Sequence, residues 1–153
     1  MTHRLSITPI LAVALCGVLF ACGARGDSTQ IQDLPVTGWE QQEPVHFFYT
    51  AIDSVYHYNI DIGGRVFFNY FPDRFSVVLQ VTAPSGSYFR DTLSCPVPHV
   101  ADQLWSDFRL PYYRHVRFTE TGEWRFSLIQ NMNAAIIQGV SSIEIYIEQD
   151  GKK

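Results

Sequence analysis

Cysteine is scarce in this sequence: three in 153 residues, at positions 16, 22 and 95. So few exclude a disulfide framework, and the domain must be held by its own core. Cys95 reads as a buried residue near a strand end, since no histidine stands at a spacing that would activate its thiol. Histidines 3, 46, 57, 99 and 115 form no pair at metal-ligand spacing, so no metal site is expected. His57 and Asp61 share a face of one predicted strand, where an exposed polar face accounts for them. The chain lacks a glycine-rich phosphate loop and a nucleophile elbow; Gly63-Gly64 falls inside a strand run and reads as a bulge. No catalytic residue and no cofactor are therefore expected. Positive charge is also short, with 11 basic against 15 acidic residues. Nothing in that balance predicts a nucleic-acid partner or electrostatic binding to an anionic membrane, and neither is expected.

The N-terminus is organised differently from the rest. Residues 1–21 carry a basic start (His3, Arg4) and an apolar stretch from Ile10 to Ala21, too short for a comfortable membrane span. They close on Leu19-Phe20-Ala21-Cys22-Gly23, which resembles the bacterial lipobox. The resemblance implies cleavage after Ala21 and a lipid on Cys22, hence a membrane partner; an ordinary signal peptide cut near Ala21 is the alternative. Cys16 competes poorly, because Leu15 stands where a small residue is required. Two or more acyl chains make such an anchor effectively permanent. Residues 22–38 are expected to be the lipidated cysteine and a flexible tether, with residues 23–33 small, polar and without periodicity.

Residues 39–153 then form one domain. From Val45 onward the pattern has period two. Tyr56, Tyr58, Ile60 and Ile62 share a face, as do Phe75, Val77, Leu79 and Val81; later come Trp124, Phe126 and Leu128, then Ile143, Ile145 and Ile147. The runs are rich in β-branched and aromatic residues and are separated by turns such as Pro84-Ser85-Gly86 and Thr121-Gly122. About eight strands predict an all-β, antiparallel β-sandwich, either jelly-roll or immunoglobulin-like. The only helical candidates are residues 101–108 and 131–137. Aromatics are abundant (3 Trp, 8 Tyr, 11 Phe), and most must fill the core. Trp39, Trp105, Tyr112 and Tyr113 stand outside clean alternation. They are either packed loop anchors or a surface for a partner or a sugar ring.

An ordered set of short motifs carries a more specific signal. Gly38-Trp39 is followed by Val45-His46-Phe47, by Tyr58-Asn59-Ile60-Asp61-Ile62 with Arg65, and by Asp91-Thr92-Leu93. Leu104-Trp105, Val116-Arg117-Phe118, Gln130-Asn131-Met132 and Gln138-Gly139-Val140 complete the series. Together with the lipobox, this set resembles the GldH family of gliding-motility lipoproteins from about Trp39 to Glu148. Two departures are visible: Ser106-Asp107 replaces glycines beside Trp105, and Asn133 replaces a basic residue. The resemblance implies a non-enzymatic envelope lipoprotein that supports assembly or stability of the gliding machinery and its linked type IX secretion system. Its expected partners are other gliding or secretion proteins of the envelope. A carbohydrate-binding sandwich is the alternative. Residues 23–27 hold no acidic cluster, which favours the periplasmic face of the outer membrane.

Overall fold

The computed structural model describes residues 26–70, 72–98 and 102–150. The expected signal segment (residues 1–21), Cys22 and His99 lie outside them. Among the described residues every regular element is a strand: β1 (Ser28–Asp33), β2 (Trp39–Glu40), β3 (Val45–Ala51), β4 (Tyr58–Phe67), β5 (Arg74–Thr82), β6 (Tyr88–Pro96), β7 (Trp105–Val116), β8 (Gly122–Gln130), β9 (Ile136–Ile137) and β10 (Val140–Gln149). Eight of them make two antiparallel four-stranded sheets, β1-β10-β4-β7 and β3-β8-β5-β6, while β2 and β9 pair as a small ribbon. The expected all-β sandwich is therefore the fold. Among these eight strands the chain changes sheet at every connection except the β5–β6 hairpin. That order is the jelly roll, one of the two forms left open by the sequence.

Period two explains the packing. Ile60, Ile62, Leu79, Leu128, Ile143, Ile145 and Ile147 alternate inward and fill the middle of the sandwich, all essentially buried. Each such side chain contributes about 1.5–3 kcal/mol through burial. Aromatic clusters close the two ends. At one end Trp39, Tyr70 and Phe108 surround Phe75, with ring centroids 5.1–6.3 Å from it. At the other, Phe118 contacts Tyr49, Tyr58, Trp124 and Phe126.

Four local expectations need correction. The segment expected to be tether contains β1, which pairs with β10 from Ser28↔Ile147 to Asp33↔Ser142; the sandwich thus begins at Ser28, ahead of residue 39. Residues 105–108 of the first helical candidate belong to β7, where cross-strand pairing with β4 (Phe67↔Trp105, Gly64↔Phe108) overrides local spacing. The second candidate, residues 131–137, is a turn leading into β9. Fully buried Gln130 holds it, donating to the Ala134 carbonyl at 2.7 Å and accepting from the Met132 N–H at 2.9 Å. Gly63-Gly64 pairs regularly with both neighbours and is no bulge. A Cβ on Gly64 would lie 2.5 Å from the Ser142 carbonyl oxygen and 2.8 Å from the Phe108 ring, so close packing demands the glycine. The bulge sits on β10 at Ser141, whose carbonyl accepts from the Leu34 N–H at 2.9 Å.

Candidate interaction surface

The two lateral sides of the sandwich differ. On one side β1 lies beside β3, and the Gln30 amide closes the seam. Its Nε2 donates to the Phe48 carbonyl at 2.7 Å, and its Oε1 accepts from the Phe48 N–H at 3.3 Å. One side chain thus occupies both backbone groups of Phe48, which a neighbouring strand would use at that position. On the other side β6 and β7 are the outer strands of their sheets, each with a single strand neighbour. Seven of the nine β6 residues are exposed.

Three of the four aromatics singled out from the sequence lie on β7. Trp105 opens the strand, 47% exposed, with the Arg65 guanidinium 5.5 Å from its ring. Asp107 holds that guanidinium through paired hydrogen bonds of 2.7 and 3.0 Å. Phe67 is paired with Trp105, and Phe68 and Leu104 adjoin it, giving an exposed apolar corner. Tyr112 and Tyr113 stand further along, their rings 4.1 Å apart. β7 carries an extra residue at two points relative to β4, between Tyr58 and Ile60 and between Ile60 and Asp61. These bulges break the alternation and bring the two adjacent tyrosines together. Burial pushes the Tyr112 phenol well above its ordinary pKa, and its hydroxyl has no hydrogen-bond partner among the described residues. Trp39 is not part of this surface. It is 2% exposed, and its indole donates to the Glu43 carbonyl at 2.7 Å.

Between the sheets, this side opens into a cleft of about 420 Å³. Tyr88, Phe89, Tyr113, Phe118 and Trp124 are among the side chains that line it, with Arg117 and Glu120 as charged groups. Phe89 meets Tyr113 edge to face at 6.1 Å. Apolar walls with a few polar groups suit insertion of an apolar or aromatic side chain. The sequence supplied Tyr113 but not Phe89, which sits in regular alternation and is exposed only because β6 is an outer strand.

The polar residues elsewhere are committed to structure. Asp61 was expected on an exposed face, yet it is buried. Arginines from β7 cover it: Arg109 donates to Oδ2 at 2.6 Å, and Arg114 donates to Oδ1. Arg109 also reaches Glu148 at 2.9 Å and lies 4.0 Å above the Tyr146 ring. The Gly63 backbone sits under that ring; a Cβ there would approach Tyr146 to 3.1 Å. His57 stacks on His115 at 3.8 Å, and His115 Nδ1 lies 2.6 Å from Asp150 Oδ2. Cys95 is buried, its Sγ 3.7 Å from the Phe75 carbonyl, and burial raises its thiol pKa. Among the described residues no group of three His, Cys, Asp or Glu side chains is arranged to hold a metal ion.

Fold and surface together define a class: a jelly-roll sandwich closed along one side and open, with aromatic residues, along the other. The family model for the GldH lipoprotein matches residues 28–147, from the first strand to near the end of the last. The chain belongs to the GldH lipoprotein family, a non-enzymatic family, and is a gliding-motility-associated, membrane-anchored envelope lipoprotein. No curated protein matches it.

Proposed function

We propose that the protein is anchored in the outer membrane by lipid on Cys22, faces the periplasm, and supports assembly or stability of the gliding machinery and its linked type IX secretion system. It does so by binding another envelope protein along the open side formed by β6 and β7. The observation that carries this reading is the family match over residues 28–147. The open side supports it physically. An outer strand with free backbone groups accepts an added strand, and an adjacent apolar cleft selects the side chain that accompanies it. Of the two strands, β6 is the better acceptor, because β7 is interrupted by Pro111 and its two bulges.

Deleting the gene and isolating the tagged lipoprotein with its partners tests the reading. Loss of gliding or secretion, together with recovery of machinery components, supports it. Unchanged motility and secretion, with no envelope partner recovered, overturns it. A second reading, carbohydrate binding, rests on the exposed Trp105 ring, since sugars stack on such rings. Calorimetric titration with glycans, weakened by Trp105→Ala, would favour that reading instead.

A further inference from the structure

β1 enters the sandwich at one end, six residues after Cys22 in the sequence. β1 starts there at Ser28, level with Ile60 and Ile147. The chain is held before it enters the strand: the Tyr49 hydroxyl donates to the Gly26 carbonyl at 3.2 Å, and Asp27 Oδ1 accepts from the Gln149 N–H at 2.8 Å. From Gly26 back to Cys22 is four residue steps, so the two Cα atoms stand at most about 14 Å apart. An acylated Cys22 therefore keeps this end of the sandwich at the bilayer surface.

The same end carries an exposed apolar loop. Between β3 and β4, Ile52 is 62%, Val55 72% and Tyr56 49% exposed. The loop leaves β3 beside Gly122 and joins β4 beside Gln149, so it flanks the point where the tether departs. Asp53 Oδ1 accepts from the Val55 N–H at 3.1 Å and shapes the turn. Two aliphatic side chains and a tyrosine suit the bilayer interface, where a ring with one polar atom is favoured.

We infer that this loop is a membrane-docking element: Ile52, Val55 and Tyr56 insert into the interfacial region of the bilayer that holds the lipid of Cys22, and so fix the orientation of the sandwich. The inference rests on the proposed lipidation of Cys22. Among the described residues the end also carries Asp27, Asp53, Glu120, Glu123 and Asp150 beside His57, His115 and Arg117, a mixed set with no basic excess. Docking is therefore driven by apolar burial and needs no anionic lipid. The opposite end is also apolar, with Leu104 64% exposed. It lies about 23 Å further along β4, out of reach of the bilayer.

The test uses acylated full-length protein in phosphatidylcholine vesicles, with an environment-sensitive fluorophore on Val55→Cys or, as an equally apolar control, on Leu104→Cys. Mass spectrometry of the N-terminal peptide and flotation with the vesicles report the anchor separately. Docking predicts a blue shift and strong quenching by spin-labelled lipid at position 55, neither at position 104, and no change in high salt. Adding Ile52→Ser and Tyr56→Ser should abolish the quenching at 55 while flotation persists. A floating, acylated protein whose two labels respond alike overturns the docking inference and leaves the anchor intact. An unacylated N-terminus with no flotation overturns the lipidation reading and the inference built on it.

Discussion

At the residue scale, two positions show how backbone geometry and charge constrain the sheet. Asp61 is the buried centre of a pair of arginines, both partly open to solvent. Asp61→Asn removes the charge and leaves both guanidinium groups under-compensated. The expected cost is roughly 1–2 kcal/mol, the range for hydrogen bonds to charged groups after solvent screening. Urea denaturation should show it as a lower midpoint with unchanged slope. Gly64→Ala should cost about 2–3 kcal/mol, because its Cβ would meet a carbonyl oxygen that cannot swing away. Thermal unfolding of that variant checks the claim, and an unchanged midpoint refutes it. The sequence placed Asp61 on an exposed polar face and Gly63-Gly64 in a bulge, and neither holds. Asp61 falls on the outward phase of β4, and nothing local announces that arginines some 50 residues later will cover it. Gly63-Gly64 looked like a bulge because a glycine pair in a strand run signals either a bulge or a close approach. Only the partner strands decide between them.

At the element scale, the long central strands were legible and the outer ones were not. β5, β8 and β10 bury alternate residues on an inner face, and that alternation is written into the sequence. β1 (Ser28–Asp33) has one strand neighbour and only Ile31 as an apolar side chain, so it resembled a tether. Its place comes from the ladder with β10 and from Gln30 bonding across to β3. Residues 105–108 were read as part of a short helix because Leu104, Trp105 and Phe108 fall at helical spacing, and the pairing with β4 that makes them strand is not local. Trp105, Tyr112 and Tyr113 were singled out as standing outside clean alternation and lie on β7, whereas Trp39 was singled out in the same way and is buried. β6 carries the prediction that belongs to this scale. The Thr92 N–H is bonded to its neighbour's carboxylate, Asp91 Oδ1, at 2.8 Å, so it points away from β5 along the open edge. Thr92→Pro therefore costs no bond of the β5–β6 ladder while blocking strand addition. Partner recovery should fall sharply, with the circular-dichroism spectrum and thermal midpoint nearly unchanged. Retained recovery would remove β6 as the contact strand.

At the scale of the whole molecule, acidification acts at both ends of the sandwich, on His57 near the start of β1 and on Asp107 beside Trp105. His57 is held below its ordinary value of 6.5 by desolvation first, then by His115 and Arg117. The folded protein thus binds this proton less readily than the unfolded chain. The stability it contributes is complete above about 6.5, falls as the pH drops from there to the lower folded value, and changes no further beneath it. An NMR titration of the His57 ring should give a midpoint below 6.5, and a midpoint at or above it would refute the assignment. Asp107, lowered from 3.8 by the Arg65 hydrogen bonds, adds a second loss at more acidic pH. Its stabilisation is present above 3.8 and disappears as the pH falls through the lower folded value.

The Gln30 seam has a consequence for how many molecules can join. A sandwich with free strands on both sides is a monomer for a polymer: each addition exposes a fresh acceptor, and growth does not stop. Here the Gln30 amide fills the Phe48 backbone groups on one side, whereas β6 and β7 each end their sheet without a further strand. The two sides are unequal acceptors, and in polymer terms the protein is a poor monomer, because growth through both sides would have to displace that amide.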